Sequence, residues 1–315
     1  MATSMPQTRT SDQAADLPGF AIGIMAYNEE GNIGNLLDGA LHQSADRRIE
    51  RIVVMASGCT DRTCEIIAEY VKADPRVELV AEPERKGKVH AINQFLRLVR
   101  QPLCIVTSAD IGFKHTTVER LAEPFTDPAI GMVGAHVVPV NTPDTFVGFT
   151  VNLMWTLHHE VSLDKPKMGE ICAFRNVIPG LDPATLNDEM SVLYEIEKLG
   201  YRVAYAPDAV IENCGPDNLR DFVTQRTRWI VANLSVEQDY AMHVSTRSTG
   251  AVLRATLKHL RGNWPRLAWF AGAASVELYA RARAHLEYRS LRSRHRHFQV
   301  WDQITTTKSI AEKKL

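Results

Sequence analysis

Two acidic residues and a cluster with arginine and tryptophan lie between residues 187 and 229 of the chain. Asp188 and Glu189 can supply a general base that takes a proton from a hydroxyl nucleophile. Arg228 can hold a diphosphate leaving group through charge-assisted hydrogen bonds, and Trp229 offers a flat apolar face for a sugar ring. In this order, the residue types predict a site that transfers a sugar.

Each feature also has an ordinary structural explanation. Asp188 and Glu189 follow Asn187, so they equally suit the first turn of a helix, where the macrodipole favours acidic side chains. An arginine followed by tryptophan commonly just packs against its surroundings. The order and spacing of the features, rather than any one of them, favour the catalytic interpretation.

The same block resembles the family 2 glycosyltransferases with the GT-A fold. In that family an acidic pair stands eleven residues before a Gly-Tyr dipeptide, and a QxxRW motif follows, as they do here. The resemblance implies that Glu189 is the catalytic base and Asp188 its acidic neighbour. It also implies that Gln225, Arg228 and Trp229 line the site of the diphosphate and the acceptor.

Further motifs of the family occur upstream, so that residues 20–233 carry the motifs in the expected order. The resemblance assigns these upstream residues to the nucleotide-sugar donor. They are Ala26, Tyr27, Asn28 and Glu29 of an AYNEE signature, Ser57 and Asp61 of a DGSTD-like loop, Lys86 and Lys88 of a KGK segment, and Ser108, Ala109 and Asp110 of a DxD-like motif.

Asp110 is the candidate ligand of a Mg²⁺ or Mn²⁺ ion. Transfer from a nucleotide-sugar develops negative charge on the leaving diphosphate, which a divalent cation stabilises. Such cations take oxygen ligands, typically one or two carboxylates together with the phosphates. The resemblance implies that Asp110 contacts the ion directly, whereas Ser108 replaces the family's first Asp and is at best a neutral ligand. A helix cap is the structural alternative for Asp110.

The nucleotide base is left open by the sequence. Ala56-Ser57 stands where the family has the Asp that contacts uracil. Glu29 can still accept a hydrogen bond from a ribose hydroxyl, and Lys86 and Lys88 suit the phosphates unless they are simply solvated. UDP is the usual nucleotide of the family, and GDP, dTDP and CDP are the alternatives.

The acceptor side is matched more loosely. Candidate contacts are Trp229 and three residues from the preceding segments, His158, His159 and Glu170. A zinc site at His158-His159-Glu160 is disfavoured, because adjacent histidines do not share a helical face and the HExxH spacing is missing. Partial solvation is the simplest alternative for the two histidines.

Composition places the 315 residues among ordinary folded chains, with 45% apolar and 23% charged residues. The five cysteines contain no CxxC pair, and their odd number predicts no disulfide framework. The first residues show no charged-then-apolar leader, so a cytoplasmic location is expected. Residues 1–17 are polar and are predicted to be a disordered tail.

Positive charge is concentrated near the C-terminus, where residues 251–315 hold thirteen Lys and Arg against four Asp and Glu. A basic segment of this kind suits the inner face of a membrane, contacted peripherally through 251–290, or an acidic carrier protein, or it is merely a solvated face. No nucleic acid partner is expected, since no reading motif accompanies the charge. The longest apolar run, from Leu267 to Val276, is too short to span a bilayer, which needs about twenty residues. This departs from the membrane-embedded members of the family.

The elements that must position the motifs alternate between apolar runs and segments of helical spacing. Such an order predicts an α/β fold with a Rossmann-like, mostly parallel sheet flanked by helices. Ligands of such sheets bind beyond the carboxyl ends of the strands, where the donor motifs fall. Predicted strands are 20–26, 51–56, 77–81, 103–108, 131–140, 168–174, 203–206 and 209–212, and predicted helices are 62–72, 87–100, 188–199 and 219–234.

Three regions follow from this organisation. The disordered tail, 1–17, precedes a GT-A domain at 18–240, with a donor half, 18–112, and an acceptor half, 113–240. Residues 141–186 are expected to be loops around a segment at 146–161 and the strand already given. The remaining 241–315 are predicted to be a basic extension with one or two amphipathic helices that carry arginine on their polar face.

Together these observations predict an inverting, metal-dependent glycosyltransferase that moves one sugar, from UDP-hexose or UDP-N-acetylhexosamine, to a hydroxyl or amine. Its acceptor would be a lipid-linked cell-envelope molecule or a specialised metabolite, free or bound to a carrier protein. Ser57 and Ser108 motivate one alternative, a catalytically degenerate binding or scaffold protein. A sugar nucleotidyltransferase is the other, although its GxGxR loop is replaced here by AYNEE.

Overall fold

The structure is a computed structural model that describes residues 18–240, 249–261 and 264–293, together with residues 307 and 310. The predicted tail at 1–17 lies outside the described residues, as does part of the predicted extension at 241–315.

The first half of the chain forms the parallel part of one mixed sheet. Its strands are short apolar runs buried by helices on both faces, as parallel strands generally are. Their order in the sheet is β3-β2-β1-β4. The elements are β1 (Phe20–Ala26), α1 (Ile33–Leu41), β2 (Ile49–Ser57), α2 (Thr63–Ala73), β3 (Val77–Glu82), α3 (Lys88–Leu98) and β4 (Leu103–Ser108).

The second half extends the sheet beyond β4 in the order β7-β6-β8-β5. Strand β7 runs antiparallel to both β4 and β6, β6 and β8 are parallel, and β5 closes the edge antiparallel to β8. The predicted mostly parallel sheet with flanking helices is confirmed. The elements are β5 (Ile111–Phe113), α4 (Thr117–Ala122), β6 (Ile130–Pro139), α5 (Phe146–Asp164), β7 (Ile171–Arg175), α6 (Asp188–Lys198), β8 (Arg202–Asn213) and α7 (Leu219–Asp239).

Helix α3 packs directly on the centre of the sheet. A Cβ atom at Gly23 of β1 would lie 2.8 Å from the ring of Phe95 on α3, so only glycine allows this approach. Phe95 is fully buried. The close packing fixes where α3 begins, and therefore where Lys88, its first residue, stands at the edge of the sheet.

The segment predicted as loops around 146–161 is a helix of 19 residues, α5. Its apolar residues point in several directions, and Val151, Trp155 and Val161 are all buried. A helix covered on more than one side lacks the single apolar stripe by which sequence patterns reveal helices. Thr145 begins it as a cap, because its hydroxyl accepts a hydrogen bond from the amide of Gly148 at 3.0 Å.

The two short strands predicted at 203–206 and 209–212 are one strand, β8. Its register with β6 shifts between Ala135 and His136, which pair with Ala206 and Val210. Pro207 falls within this irregularity, where a missing amide donor is tolerated. The prediction from sequence therefore divided this single strand into two at Pro207.

Two helices, α8 (Thr249–Arg261) and α9 (Leu267–Ser293), follow the sheet. Helix α9 packs against α7 and α5, where Phe270 meets the ring of Phe149 at 5.1 Å. Arg226 of α7 pairs with Glu277 of α9 through two hydrogen bonds of 2.7 and 2.9 Å. The C-terminal helix is thereby tied to the helix that carries the QxxRW motif. No helix in the described ranges is both long and apolar enough to span a membrane.

Candidate active site

A cleft with a volume of about 410 Å³ opens at the carboxyl ends of the central strands β1, β2 and β4. The N-terminus of α6 and one face of α7 form its opposite wall. The structure brings most of the predicted site residues together here. Those that line the cleft are Ala26, Tyr27, Glu29, Ser57, Lys88, Ser108, Asp110, His158, Glu170, Asp188, Glu189, Gln225, Arg228 and Trp229.

Asn28 and Asp61, both predicted to contact the nucleotide, instead join the loops beside the cleft. Asn28 has a positive φ of 52°, and its side-chain oxygen accepts a hydrogen bond from the amide of Thr60 at 2.8 Å. Asp61 accepts hydrogen bonds from the amide and hydroxyl of Thr63 at 3.0 and 2.6 Å. These contacts shape the turn after β1 and the start of α2, a local use typical of Asn and Asp.

Three other predicted residues also lie outside the cleft lining. The amine of Lys86 is 3.6 Å from the carboxylate of Glu82, and Ala109 is fully buried beneath the strand end. The ring of His159 stacks on His136 at 3.9 Å. This placement supports neither a phosphate contact for Lys86 nor an acceptor contact for His159.

The acidic pair stands in the first turn of α6 and also lines the cleft. Asn187 caps the helix, since its side-chain oxygen accepts a hydrogen bond from the amide of Met190 at 3.0 Å. The side-chain nitrogen of Asn187, Nδ2, donates a hydrogen bond to the side-chain oxygen of Asn233 on α7 at 2.9 Å. The cap thus also fixes the position of Asp188 and Glu189 relative to the QxxRW helix.

Glu189 has a pKa suited to a general base near neutral pH. Burial raises the pKa of this carboxyl, and the neighbouring charge of Asp188 raises it further, to about 8. The positive charges of Lys88 and Lys167 oppose the shift. A carboxyl with such a pKa can take a proton from a hydroxyl group with a greater driving force than an ordinary glutamate.

Lys88 connects the donor half of the cleft to this acidic pair. Its amine lies 2.9 Å from a carboxylate oxygen of Asp188. It is the first residue of α3, directly after Gly87, whose φ of 94° few other residues adopt. Burial alone would lower the pKa of Lys88, but the surrounding carboxylates, led by Asp188 and Glu189, raise it. Sequence reasoning assigned this lysine to the phosphates and missed the ion pair.

Lys88→Met is expected to move the rising limb of the pH–rate profile upward by at least about one pH unit, because Glu189 loses a cation that holds its pKa down. The rate at pH 7 would fall about tenfold, while Lys88→Arg would keep the profile. Lys86→Met serves as the control, since it removes a lysine of the same loop outside the cleft. An unchanged profile in Lys88→Met would contradict this role.

Asp110 presents an unsatisfied carboxylate to the cleft. Its Oδ1 atom is buried and has no hydrogen-bond partner among the described residues. Burial raises the pKa of Asp110. Burial, followed by the charge of Asp110, raises the pKa of Glu170 to about 7. Two carboxyl groups that disfavour each other's ionisation, one with an unpaired oxygen, fit a divalent cation.

The cation would need further ligands beyond the protein. The described part of the chain contains no group of three or more His, Cys, Asp or Glu residues arranged to hold a metal. Mg²⁺ and Mn²⁺ commonly keep one or two carboxylates and take their other ligands from phosphates and water. The donor set at Asp110 therefore fits an ion that binds together with a diphosphate.

The donor end of the cleft contains an arginine that sequence reasoning did not select. The guanidinium of Arg85 lies 3.9 Å from the ring centroid of Tyr27, and both residues line the cleft. The hydroxyl of Ser57 is 3.1 Å from the buried carboxylate of Glu82. The position of the missing Asp is thus occupied by a serine whose hydroxyl is already bonded within the protein. The basic run before Gly87 was the available signal for Arg85.

The acceptor end combines aromatic rings with a half-buried lysine. Trp229 meets Trp155 edge to face at 5.6 Å. Burial, and then the charge of Lys167, lowers the pKa of His158 to about 3, so its ring is neutral. Burial, and then the charge of Arg226, lowers the pKa of Lys167 to about 8. Sequence reasoning selected neither Trp155 nor Lys167, although it selected His158 and Glu170 from the same segment.

The cleft therefore lies at the strand ends, lined by the acidic pair and by a wall that carries Arg228 and Trp229. The family described as "Glycosyl transferase family 2" matches residues 21–175, and the one described as "Glycosyl transferase family group 2" matches residues 105–282, more than half of the chain. The chain therefore belongs to the family 2 glycosyltransferases. This membership sets the nucleotidyltransferase alternative aside.

Relatives with assigned names lie at low identity. The chain is 23% identical over 237 residues to an N-acetylglucosaminyltransferase of Rhizobium meliloti, with 68% of this chain and 55% of the relative covered. It is 22% identical over 231 residues to a poly-beta-1,6-N-acetyl-D-glucosamine synthase of Staphylococcus aureus, with 68% and 54% covered. The chain spans about half the length of these curated relatives.

A solved structure resembles the fold over most of its length. It is the mannosyltransferase PcManGT from Pyrobaculum calidifontis, in complex with GDP-Man and Mn²⁺. The TM-score is 0.62 at 19% sequence identity, and 88% of each chain is covered. At this identity the likeness establishes the GT-A fold alone.

Proposed function

We propose that the chain is an inverting glycosyltransferase in which Glu189 acts as the general base. The observation that carries the proposal is the position of Glu189, whose pKa is raised to about 8, in the same cleft as the buried Oδ1 atom of Asp110, which has no hydrogen-bond partner among the described residues. The first group can accept a proton and the second can hold the cation of a nucleotide-sugar. One cleft thus contains what both substrates of a sugar transfer require.

The reaction follows from this arrangement as a single displacement. The acceptor hydroxyl gives its proton to Glu189, and its oxygen attacks the anomeric carbon from the side opposite the diphosphate. The bond between that carbon and the diphosphate oxygen breaks, and the nucleoside diphosphate leaves with the electron pair. One displacement inverts the anomeric configuration.

The other residues of the cleft bind and orient the substrates. Arg228 lines the wall opposite Asp110 and suits the charge that develops on the diphosphate. A Mg²⁺ or Mn²⁺ ion, held by Asp110 with help from Glu170, would supply further stabilisation of that charge. Trp229, braced by Trp155, offers its face to the acceptor.

The donor and acceptor classes are assigned from relatives and chemistry together. The names of the curated relatives favour N-acetylglucosamine as the sugar of the donor, and UDP, the usual nucleotide of the family, is proposed as its carrier. The neighbour bound to GDP-Man keeps GDP-mannose as the alternative. The acceptor presents a hydroxyl, as a sugar does. This acceptor is linked to a lipid or bound to a carrier protein, and it meets the enzyme at the cytoplasmic face of the membrane.

The test incubates the protein with each donor, a sugar acceptor and Mn²⁺ or Mg²⁺. The measured quantity is the rate at which the nucleoside diphosphate is released. We expect one of UDP-N-acetylglucosamine and GDP-mannose to be consumed, with a product of inverted configuration by NMR. Chelation of the metal should stop the reaction, because the charge on the leaving group then lacks its cation. Retention of configuration would overturn the role of Glu189.

A binding protein without activity is the second candidate, motivated by the serines that replace two family aspartates. The hydroxyl of Ser57 donates a hydrogen bond to Glu82. It is therefore a weaker partner for the base of the nucleotide than an aspartate would be. Tight nucleotide binding without turnover of any donor, in the presence of acceptor sugars, would favour this candidate.

A further inference from the structure

The outward face of α9 carries a row of apolar side chains exposed to solvent. Leu267, Leu278 and Leu286 are 47%, 70% and 69% exposed. Positions three or four apart lie on one side of a helix, so the row is continuous over about 29 Å from the first leucine to the last. Exposed alanines fill the spaces between the leucines, namely Ala271, Ala274 and Ala282.

The opposite side of α9 is also apolar and is already covered. Phe270 and Ala273 are 6% exposed, and Ala280 and Ala284 are fully buried against the rest of the protein. The arginines expected on the outward side of this helix are present as Arg283 and Arg289, and the leucine row lies among them. A helix that is apolar on both sides normally has both sides covered, and an exposed apolar row marks a contact surface.

The residues beside the row are of types that favour a boundary between water and lipid. Trp264 and Tyr279 are 63% and 61% exposed, and the guanidinium-bearing residues Arg283 and Arg289 are exposed as well. Aromatic rings with one polar edge and long basic side chains are enriched where a bilayer meets water. The row and its edges together have the character of a helix that lies in a membrane surface.

The charge of this face selects one occupant. Glu277 points inward to Arg226 at 2.7 Å. Glu287, the other acid of α9, is half-buried and lies one turn after Arg283. It is a single partly covered acid against two exposed arginines, Arg283 and Arg289. The outward face is therefore positive. A second copy of the chain would bring the same charge against it, whereas anionic lipid headgroups would complement it.

We propose that the outward face of α9 is a docking surface for an anionic lipid bilayer. The three leucines of the row enter the boundary between headgroups and acyl chains, and Arg283 and Arg289 contact the phosphates of the headgroups. This binding is peripheral. It does not depend on the proposed sugar transfer, so each can be tested without the other.

The experiment is flotation of the full chain with vesicles in a density gradient at about 0.05 M salt, where surface charge is least screened. Vesicles contain phosphatidylcholine alone or with phosphatidylglycerol in roughly a 7:3 ratio. We expect the protein to float with the mixed vesicles and to stay at the bottom with the neutral ones. About 0.5 M salt should weaken the binding.

Two double variants test the surface: the arginine pair changes its charge alone, and the leucine pair removes apolar area and also adds negative charge. Arg283→Gln with Arg289→Gln should weaken the partition coefficient about 25-fold, since each basic residue near an anionic surface contributes about fivefold. Leu278→Asp with Leu286→Asp should lower it at least about tenfold. Leu199→Asp is the matched control, because Leu199 is 51% exposed at the end of α6. All these side chains are exposed, so the melting temperatures should stay unchanged.

Three results would overturn the proposal. The wild type could remain at the bottom of the gradient with both kinds of vesicle. The double leucine variant could float as well as the wild type, in which case another surface binds the lipid. Sedimentation could show a dimer that this variant abolishes while no vesicle is bound, and the row would then be an interface between copies of the chain.

Discussion

Glu189→Gln lowers kcat for sugar transfer by about 10²- to 10⁴-fold, the range that general bases contribute. It leaves the affinity for the nucleotide unchanged. The substitution keeps the size and burial of the side chain but removes the group that accepts the proton. Glu197→Gln, an exposed position on the same helix, is the control and should keep the wild-type rate. A Glu189→Gln variant that turns over at the wild-type rate would exclude this residue as the base.

The pH dependence of the wild type provides a second readout of the same residue. Burial and the charge of Asp188 raise the pKa of Glu189 to about 8, so the ionised base becomes abundant only as the pH rises through that value. The rate should therefore increase from pH 6 to above pH 8 and then level off. A profile that is flat over this range would show that another group accepts the proton.

Stability should change in the opposite direction from activity. A carboxyl whose pKa is higher in the folded than in the unfolded state contributes stability that is complete below the unfolded pKa, about 4.3. This contribution is lost as the pH rises through the folded pKa of about 8. Glutamine does not ionise, so the stability of the Glu189→Gln variant has no such dependence on pH. Its melting temperature relative to the wild type should therefore increase between pH 5 and pH 8.

Asp110→Asn weakens metal-dependent binding of the nucleoside diphosphate by at least about 100-fold, the upper range even for residues that only support a metal ligand. The buried Oδ1 atom of Asp110 has no partner among the described residues, so the substitution breaks no protein contact of that atom. We therefore expect the melting temperature in the absence of metal to be no lower than that of the wild type. Titration calorimetry with UDP and GDP, with and without Mn²⁺, measures the effect.

Asp61→Asn is the matched control for this experiment. Asp61 was predicted to bind the nucleotide, but its carboxylate accepts hydrogen bonds from the amide and hydroxyl of Thr63 at the start of α2. Asparagine keeps a side-chain oxygen that can accept these bonds, so the substitution should change stability little and leave nucleotide affinity intact. Equal losses of affinity in the two variants would contradict the assignment of the metal to Asp110.

Much of the donor half was predictable from the sequence. Strands such as Phe20–Ala26 are short, apolar and followed by polar motifs, which is what a buried parallel strand with a ligand at its end requires. The start of α6 was equally predictable from the sequence, because Asn187 is a strong helix cap and is followed by Asp188 and Glu189. The acceptor half was less predictable, since α5 is covered on several sides and shows no simple periodicity.

The sequence by itself determined which residues could do chemistry, because the types and order of Asp110, Glu189 and the Arg228-Trp229 pair are local properties of the chain. Only the tertiary structure decided what surrounds each of them. The ion pair of Lys88 with Asp188, the burial of the Asp110 carboxylate and the exposed leucines of α9 depend on burial and on contacts between distant segments. A pKa or an exposed surface is set by those surroundings, which no linear pattern records.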